Sequence, residues 1–405
     1  MSEHPKFSGR GWRRWLHWLC VKVYFDRVTV LHSERIPASG PVLYLGLHRN
    51  GAVDGFVYHG MVPDAVFMVS EQLRRSWFAR LFFDGIEVAR DKDREGETTD
   101  NSGAIEQCAA HLRRGGSLFI FPEGTSSLGP RHLPFKSGAA RLIDAMIEAG
   151  GPMPTIVPVG IHYERAWAFR SQVEVVVGEP LSLDFTGTSR RRLVEIKQRI
   201  AAALEEVGAN FPSESAQQTA ESLAYGRTLG TGRSFFSGLK LFETGLPPAV
   251  FAAWTELEPR TARPELLYHQ GVPLFPIRPP WLYALALPVF AVPVVAAALI
   301  NLPPLLVAAW AGKKFPDARN VIALWRILTG IPLLIVWWVV LAAGALIAGE
   351  PLWLVVAAII SVFGLWLFRR VNKVAIAVNN AFRFPALRKQ MLAFHRQLAE
   401  EPSDV

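Results

Sequence analysis

Short apolar runs recur along the first half of the chain: Pro41–Leu47, Ala65–Val69, Ile86–Ala89, Ser117–Phe121, Thr155–Gly160 and Val173–Val177. Stretches with helical spacing separate them. Parallel strands need crossover connections and are covered on both faces, so they read as unbroken apolar runs; this alternation predicts a mostly parallel sheet flanked by helices. Helices are expected over Ala104–Arg113, ended by Gly115 and Gly116, and over Ser137–Ala149, closed by Gly150 and Gly151. Ser189–Val207 places Leu193, Ile196, Ile200, Leu204 and Val207 on one face and Arg and Glu on the other, an amphipathic helix with Ser189 as its cap.

The pattern then changes twice. Residues 209–275 are rich in Ser, Gly and Pro with scattered apolar positions and read as a helical connecting region. Trp281–Ile300 follows, about twenty residues without a charge, enough at ~1.5 Å per residue to cross a hydrocarbon core of ~30 Å. Val321–Ala348 and Leu352–Phe368 are two more membrane segments, the former with Arg326 near one end, where a long side chain can snorkel. Leu302–Trp310 is too short to span, and Pro303 and Pro304 make it a re-entrant or interfacial half-helix, or the kinked end of the first span. At the other end, Trp12, Trp15, Trp18 and Phe25 among Arg13, Arg14 and Lys22 fit a helix lying in the membrane interface, the alternative being a helix packed on the domain.

The expected architecture is therefore α/β, with a C-terminal transmembrane helical region. Its parts are an interfacial amphipathic helix (1–27), an α/β domain (28–188), a helical connecting region (189–275), a transmembrane region (276–372) and a C-terminal tail (373–405). Composition agrees: half of the 405 residues are hydrophobic and 19% are charged. The net charge of +8 suits an anionic partner, and with so many Trp and Phe a phospholipid surface fits better than nucleic acid. Only Cys20 and Cys108 occur, too few for a disulfide framework and without zinc-site spacing. The N-terminus does not read as a signal peptide, because charges interrupt its apolar stretch.

Two segments carry chemistry. His48 follows the run Leu43–Leu47 and should stand at the carboxyl end of a buried strand, where open α/β sheets place their sites; Asp54 is close enough to orient the imidazole. About seventy residues on comes Phe121-Pro122-Glu123-Gly124-Thr125. No Gly-x-Ser-x-Gly elbow or phosphate-binding Gly-x-x-x-x-Gly-Lys loop is present, and Gly230-Thr231-Gly232 lacks the third Gly of a dinucleotide turn. His59, His111, His132 and His162 have no ligand-spaced partners, and no metal site is expected.

Together His48-Arg49-Asn50-Gly51-Ala52-Val53-Asp54 and Phe121–Thr125 resemble the signature of the glycerolipid acyltransferases, which move acyl groups from a thioester to a glycerol hydroxyl. Family members commonly set the His and Asp four residues apart; the five here resemble the fungal-type glycerol-3-phosphate acyltransferases, which also carry a carboxyl-terminal membrane portion. The resemblance implies His48 as catalytic base and Asp54 as its orienting carboxylate, with direct attack and no acyl-enzyme. Glu123, Gly124 and Thr125 look like the acceptor-binding block. Ser126 stands where many relatives have Arg, and Arg131 and Lys136 lie just downstream to supply the missing phosphate contact. Gly85–Arg90 resembles the block whose Arg binds glycerol phosphate, which makes Arg90 a third binding residue. Ile156–Ile161 resembles a fourth block, a core strand walling the acyl pocket.

The implied function is membrane-bound O-acyl transfer, with no bound cofactor, from acyl-CoA or acyl-carrier protein to glycerol 3-phosphate or 1-acylglycerol 3-phosphate in phospholipid biosynthesis. The alternatives are another lysophospholipid as acceptor, or a non-catalytic lipid-binding membrane protein that keeps the fold. The expected location is integral to the cell or inner membrane with the catalytic domain facing the cytosol. Lys313, Lys314 and Arg319 form one basic cluster and Arg369, Arg370 and Lys373 another. The positive-inside tendency places both on the cytosolic side, which requires residues 281–310 to enter and return, turning near Asn301–Pro304.

Overall fold

The computed structural model of the chain describes residues 11–89, 101–182, 184 and 188–401. They divide into two compact units. The first draws on residues up to Lys22, on Val28–His162 and on Val173–Asn210; the second on Val23–Arg27, Tyr163–Gln172 and everything from Phe211 onward.

In chain order the first stretch contains α1 (Gly11–Tyr24), β1 (Arg27–Leu31), β2 (Val42–Gly46), α2 (Val53–Met61), β3 (Ala65–Ser70), the single turn α3 (Ala79–Phe82) and β4 (Ile86–Val88). Then come α4 (Ser102–Arg113), β5 (Ser117–Ile120), α5 (Gly138–Ala149), β6 (Thr155–Tyr163), β7 (Gln172–Val177) and α6 (Ser189–Glu206). Among the described residues the strands form one seven-stranded sheet in the order β1-β7-β6-β2-β5-β3-β4. The pairs β2–β5, β2–β6, β3–β5 and β3–β4 are parallel. All six apolar runs are strands. The seventh, β1, alternates in sequence and stands at the edge of the sheet, with no fully buried residue.

β2 is buried along its whole length, sandwiched between β5 and β6. Its last residue must be Gly46, because a Cβ there would lie 2.3 Å from the ring of Phe119. Helix α6 buries Ile196, Ile200 and Leu204 as its periodicity requires. Ser189 is not its cap: it is the first helical residue, and its hydroxyl donates to Asp144 on α5 at 2.7 Å, beside Arg192 pairing with the same carboxylate at 2.5 Å. In α1 the two alternatives coexist on opposite faces. Leu16 and Cys20 are buried and Arg13 pairs with Asp84, while Trp12, Trp15 and Trp18 stay 40%, 51% and 55% exposed.

The second unit contains α7 (Glu214–Thr228), α8 (Phe235–Glu243), α9 (Pro248–Thr261), a short hairpin of β8 (Tyr268–His269) and β9 (Val272–Pro273), and then α10 (Pro280–Ile300), α11 (Leu302–Lys314), α12 (Ile322–Ile347), α13 (Pro351–Arg383) and α14 (Pro385–Glu400). The serines that made 209–275 look loop-like are helix caps: Ser213 accepts from Ala216 N at 3.1 Å and Ser234 from Ser237 N at 3.1 Å.

Three helices of the described residues are long and apolar enough to cross a membrane: Pro280–Ile300, Arg319–Ile347 and Pro351–Arg383. Residues 302–314 form a helix of their own, α11. Gly364 of α13 packs on Ala297, while Asn301 Nδ2 donates to Ser361 at 2.8 Å, so α10 and α13 run antiparallel. Gly312 faces Arg326 and Gly330 faces Ala308, so α11 and α12 are antiparallel as well. The α10–α11 turn is held by Trp337 Nε1 on Ile300 O at 2.8 Å and Trp338 Nε1 on Asn301 Oδ1 at 3.0 Å. From Trp338 to the α12–α13 turn is ten residues, and from Ser361 back to the same turn another ten. Both routes put the α10–α11 tip about 15 Å short of that turn. α13 does not stop with its apolar stretch but runs past residue 372 to Arg383, where Asn380 accepts from Leu267 N at 3.0 Å and donates to Leu267 O and Leu274 O, clasping the β8–β9 hairpin.

Candidate active site

The parallel register aligns Leu45 of β2 with Ile120 of β5. Three residues beyond each lie His48 and Glu123, so the two strands deliver the two motifs side by side at their carboxyl ends. Past the strand the chain turns at Gly51, φ +56°, and enters α2, whose first turn carries Asp54.

Asp54 is fully buried, and one carboxylate oxygen gathers three donors: His48 Nδ1 at 2.9 Å, Arg49 N at 2.6 Å and Asn50 N at 2.8 Å. A buried carboxylate needs such partners, and the first turn of α2 adds its positive dipole end. The extra residue between His48 and Asp54 is thus absorbed by folding two backbone amides over the acid. With Nδ1 protonated toward Asp54, Nε2 carries the free lone pair. The imidazole stacks on Phe121 at 4.3 Å between centroids and keeps 14% of its side chain exposed.

Glu123 is also buried, at 1% exposure, and its carboxylate does not point free into the site. One oxygen accepts His48 N at 2.8 Å and the other Leu133 N at 3.2 Å. Burial pushes its carboxyl above the usual range, and the two backbone donors with the Arg49 charge oppose that rise. Ser127 N donates to His48 O at 3.0 Å, so the base is pinned through its main chain from both sides.

Gly124 adopts φ +69°, a left-handed conformation, and the Lys136 chain lies across it, 3.1 Å from where a Cβ would stand. Lys136 is therefore beside the turn that follows Glu123, its backbone N donating to Pro122 O at 2.8 Å, with Thr125 next along the turn. Arg131 is exposed on the segment that Leu133 ties to Glu123. Arg90 lies outside the described residues. Two contributors were missed from the motif alone. Arg49 donates from Nη2 to Gly129 O at 2.9 Å, bracing the loop after Thr125. Tyr58 is wholly buried and donates to Leu47 O at 3.1 Å, one residue before the base. Its position four residues after Asp54, on the same helical face, was the available signal. Ile156, Val157, Val159 and Ile161 are core residues of β6. Among the described residues no group of three His, Cys, Asp or Glu side chains is placed to hold a metal ion.

Around this strand-end His, locked to a helix-borne Asp with a Pro-Glu-Gly-Thr turn against its backbone, residues 27–162 match the family model described as Acyltransferase. That match covers less than half of the 405-residue chain. Among individual proteins it is similar to Glycerol-3-phosphate O-acyltransferase 2 of Saccharomyces cerevisiae, 31% identical over 123 residues. The match takes in 29% of this chain and spans 17% of that relative's length. A solved structure, the 1-acyl-sn-glycerophosphate (LPA) acyltransferase PlsC from Thermotoga maritima, aligns at 18% identity and a TM-score of 0.35, covering 48% of this chain and 79% of its own.

Proposed function

We propose that the protein is a membrane-bound O-acyltransferase that moves a fatty acyl group from acyl-CoA or acyl-carrier protein to a hydroxyl of glycerol 3-phosphate or 1-acylglycerol 3-phosphate. The observation that carries this reading is the 2.9 Å bond between His48 Nδ1 and the buried Asp54 carboxylate. It holds the ring in the tautomer whose Nε2 can accept a proton.

His48 Nε2 takes the proton of the acceptor hydroxyl as its oxygen attacks the thioester carbonyl. The tetrahedral oxyanion then collapses, breaking the carbon–sulfur bond, and the departing thiolate takes the proton back from the imidazolium. Asp54 stabilises the charged ring between these steps. Glu123 holds the His48 backbone, and Lys136, Arg131 and Arg90 supply cations for the acceptor phosphate. The apolar helices make the chain a membrane protein, and a cytosolic face for the domain follows from where the acyl donors are made. Purified full-length protein, offered labelled acyl-CoA with glycerol 3-phosphate, dihydroxyacetone phosphate, lysophosphatidate and other lysophospholipids in turn, tests the proposal. Acylation of a phosphorylated glycerol acceptor, lost in His48→Ala, is the expected result. No transfer to any acceptor from either donor would refute it and favour a lipid-binding role for the fold.

A further inference from the structure

The second unit contains a buried ionic cluster that plays no part in the chemistry above. Where the apolar stretch of α13 ends at Phe368, the helix presents Arg369, Arg370 and Lys373 in quick succession. Arg369 is 5% exposed; its Nη2 donates to Glu164, 2.8 Å from Oε2, and its Nη1 to Arg170 O at 3.0 Å. Arg170 is 6% exposed and pairs through Nη2 with Asp26 at 2.9 Å, while Nη1 donates to Phe25 O at 2.7 Å. Gln172 closes the network, donating from its side chain to Asp26 at 3.0 Å and from its backbone to Glu164 at 3.1 Å. Both carboxylates pair with arginines, and their charge also reaches the Lys373 ammonium.

Two more cations stand beside them. Lys373 lies one turn beyond Arg369 on the same face, its ammonium 5.7 Å from the centre of the Tyr225 ring. Arg165 lies against Gly271, where a Cβ would come within 2.8 Å of Nη2, and over Trp167 at 5.3 Å; Arg319 covers the same indole at 5.4 Å. Among the described residues neither the Lys373 ammonium nor the Arg165 guanidinium has a hydrogen-bond or ion-pair partner. Glu221 attracts Arg165 and accepts from Gln217 at 2.8 Å. Both cations bear on His269, which is 6% exposed and accepts the Tyr225 hydroxyl at Nδ1, 2.6 Å away. That bond leaves the His269 proton on Nε2, so this ring offers a donor and no negative charge.

Half-buried cations in such surplus call for an anion, because an unpaired charge withdrawn from water costs free energy that only a counter-charge recovers. We propose that Lys373 and Arg165, whose charges both reach His269, bind the phosphate of an anionic phospholipid headgroup. The lipid source follows from depth: Lys373 lies within two turns of Phe368, where the uncharged stretch of α13 ends. At that level Trp366, 50% exposed, stacks under Arg370 at 4.1 Å, the aromatic-basic pairing of a membrane–water boundary. The site belongs wholly to the second unit and does not depend on the chemistry proposed for His48.

Detergent-solubilised full-length protein is titrated calorimetrically with short-chain phosphatidylglycerol, short-chain phosphatidylcholine and inorganic phosphate. Phosphatidylglycerol is expected to bind at least tenfold tighter than the other two. Arg165→Gln and Lys373→Gln should each weaken it at least tenfold, whereas Lys373→Arg should keep it within about threefold and so separate loss of the site from loss of folding. Lys389→Gln, at an exposed position of α14, serves as the unchanged control. Equal binding of phosphatidylcholine, phosphate as tight as the lipid, or full affinity in the folded glutamine variants would each overturn the proposal.

Discussion

Replacing Glu123 by Gln separates two roles that the sequence leaves entangled. The carboxylate accepts two backbone N–H groups, from His48 at 2.8 Å and Leu133 at 3.2 Å. An amide has one acceptor and one donor end, so one N–H must face another donor, and the longer Leu133 bond is the one to yield. Losing a charge-assisted hydrogen bond in a buried site costs about 1.5–3 kcal/mol, and Glu123→Ala, which orphans both donors, about twice that. If Glu123 positions the base, the loss appears in turnover: kcat should fall about 10- to 100-fold through sub-ångström misplacement of His48, with KM for acceptor and thioester changed less than about threefold. If it instead touched the acceptor, KM for that substrate alone would rise. Steady-state kinetics on full-length protein, with each substrate varied in turn, decides. An acceptor KM raised tenfold at unchanged kcat would refute the positioning role.

Other outcomes follow from the same geometry. His48→Ala should abolish turnover without loss of membrane association, and Asp54→Asn should lower kcat by at least about a hundredfold, since it no longer stabilises the imidazolium; near-normal activity in either would end the mechanism. Arg90→Ala is expected to raise the KM for the phosphorylated acceptor while leaving that for the thioester alone, and equal losses with a phosphate-free acceptor would contradict a phosphate contact. Burial, aided by the neighbouring His59 and Arg13 charges, holds His17 down at about 4 against 6.5 in the unfolded chain. The unfolded chain therefore binds the proton first. Stability is full above pH 6.5 and falls toward pH 4, by up to about 3 kcal/mol, and thermal unfolding of His17→Phe should show a shallower decline over that window. For topology, Cys introduced at Glu350 should be labelled from outside intact cells, and Cys introduced at Lys314 only after permeabilisation.

The strands of the sheet were legible because β2, β5 and β6 are buried on both faces and cannot afford polar interruptions; β1, at the edge, has no such constraint and was harder to see. His48 and Asp54 were readable from spacing, since six residues around one Gly turn suffice to bring them together. The partner of Glu123 was not, because the side-by-side placement of His48 and Glu123 depends on the register of two strands seventy residues apart. The helical character of 209–275 was legible but its individual helices were not, because Ser213 and Ser234 are capping residues, which composition counts as loop. The Arg165–Lys373 cluster draws on segments two hundred residues apart, and no local pattern marks it.

The α10–α11 hairpin, stopping about 15 Å short of the α12–α13 turn, gives the membrane region unequal cross-sections. In the membrane placement proposed above, four helices would share the half of the bilayer on the side of Lys313 and Arg369, and two would cross the other. A body tapered in this way displaces more lipid from one leaflet than from its opposite. It relieves packing stress where the crowded leaflet is convex, so the protein should partition toward outward-curved regions of that leaflet and respond to the spontaneous curvature of the lipids around it.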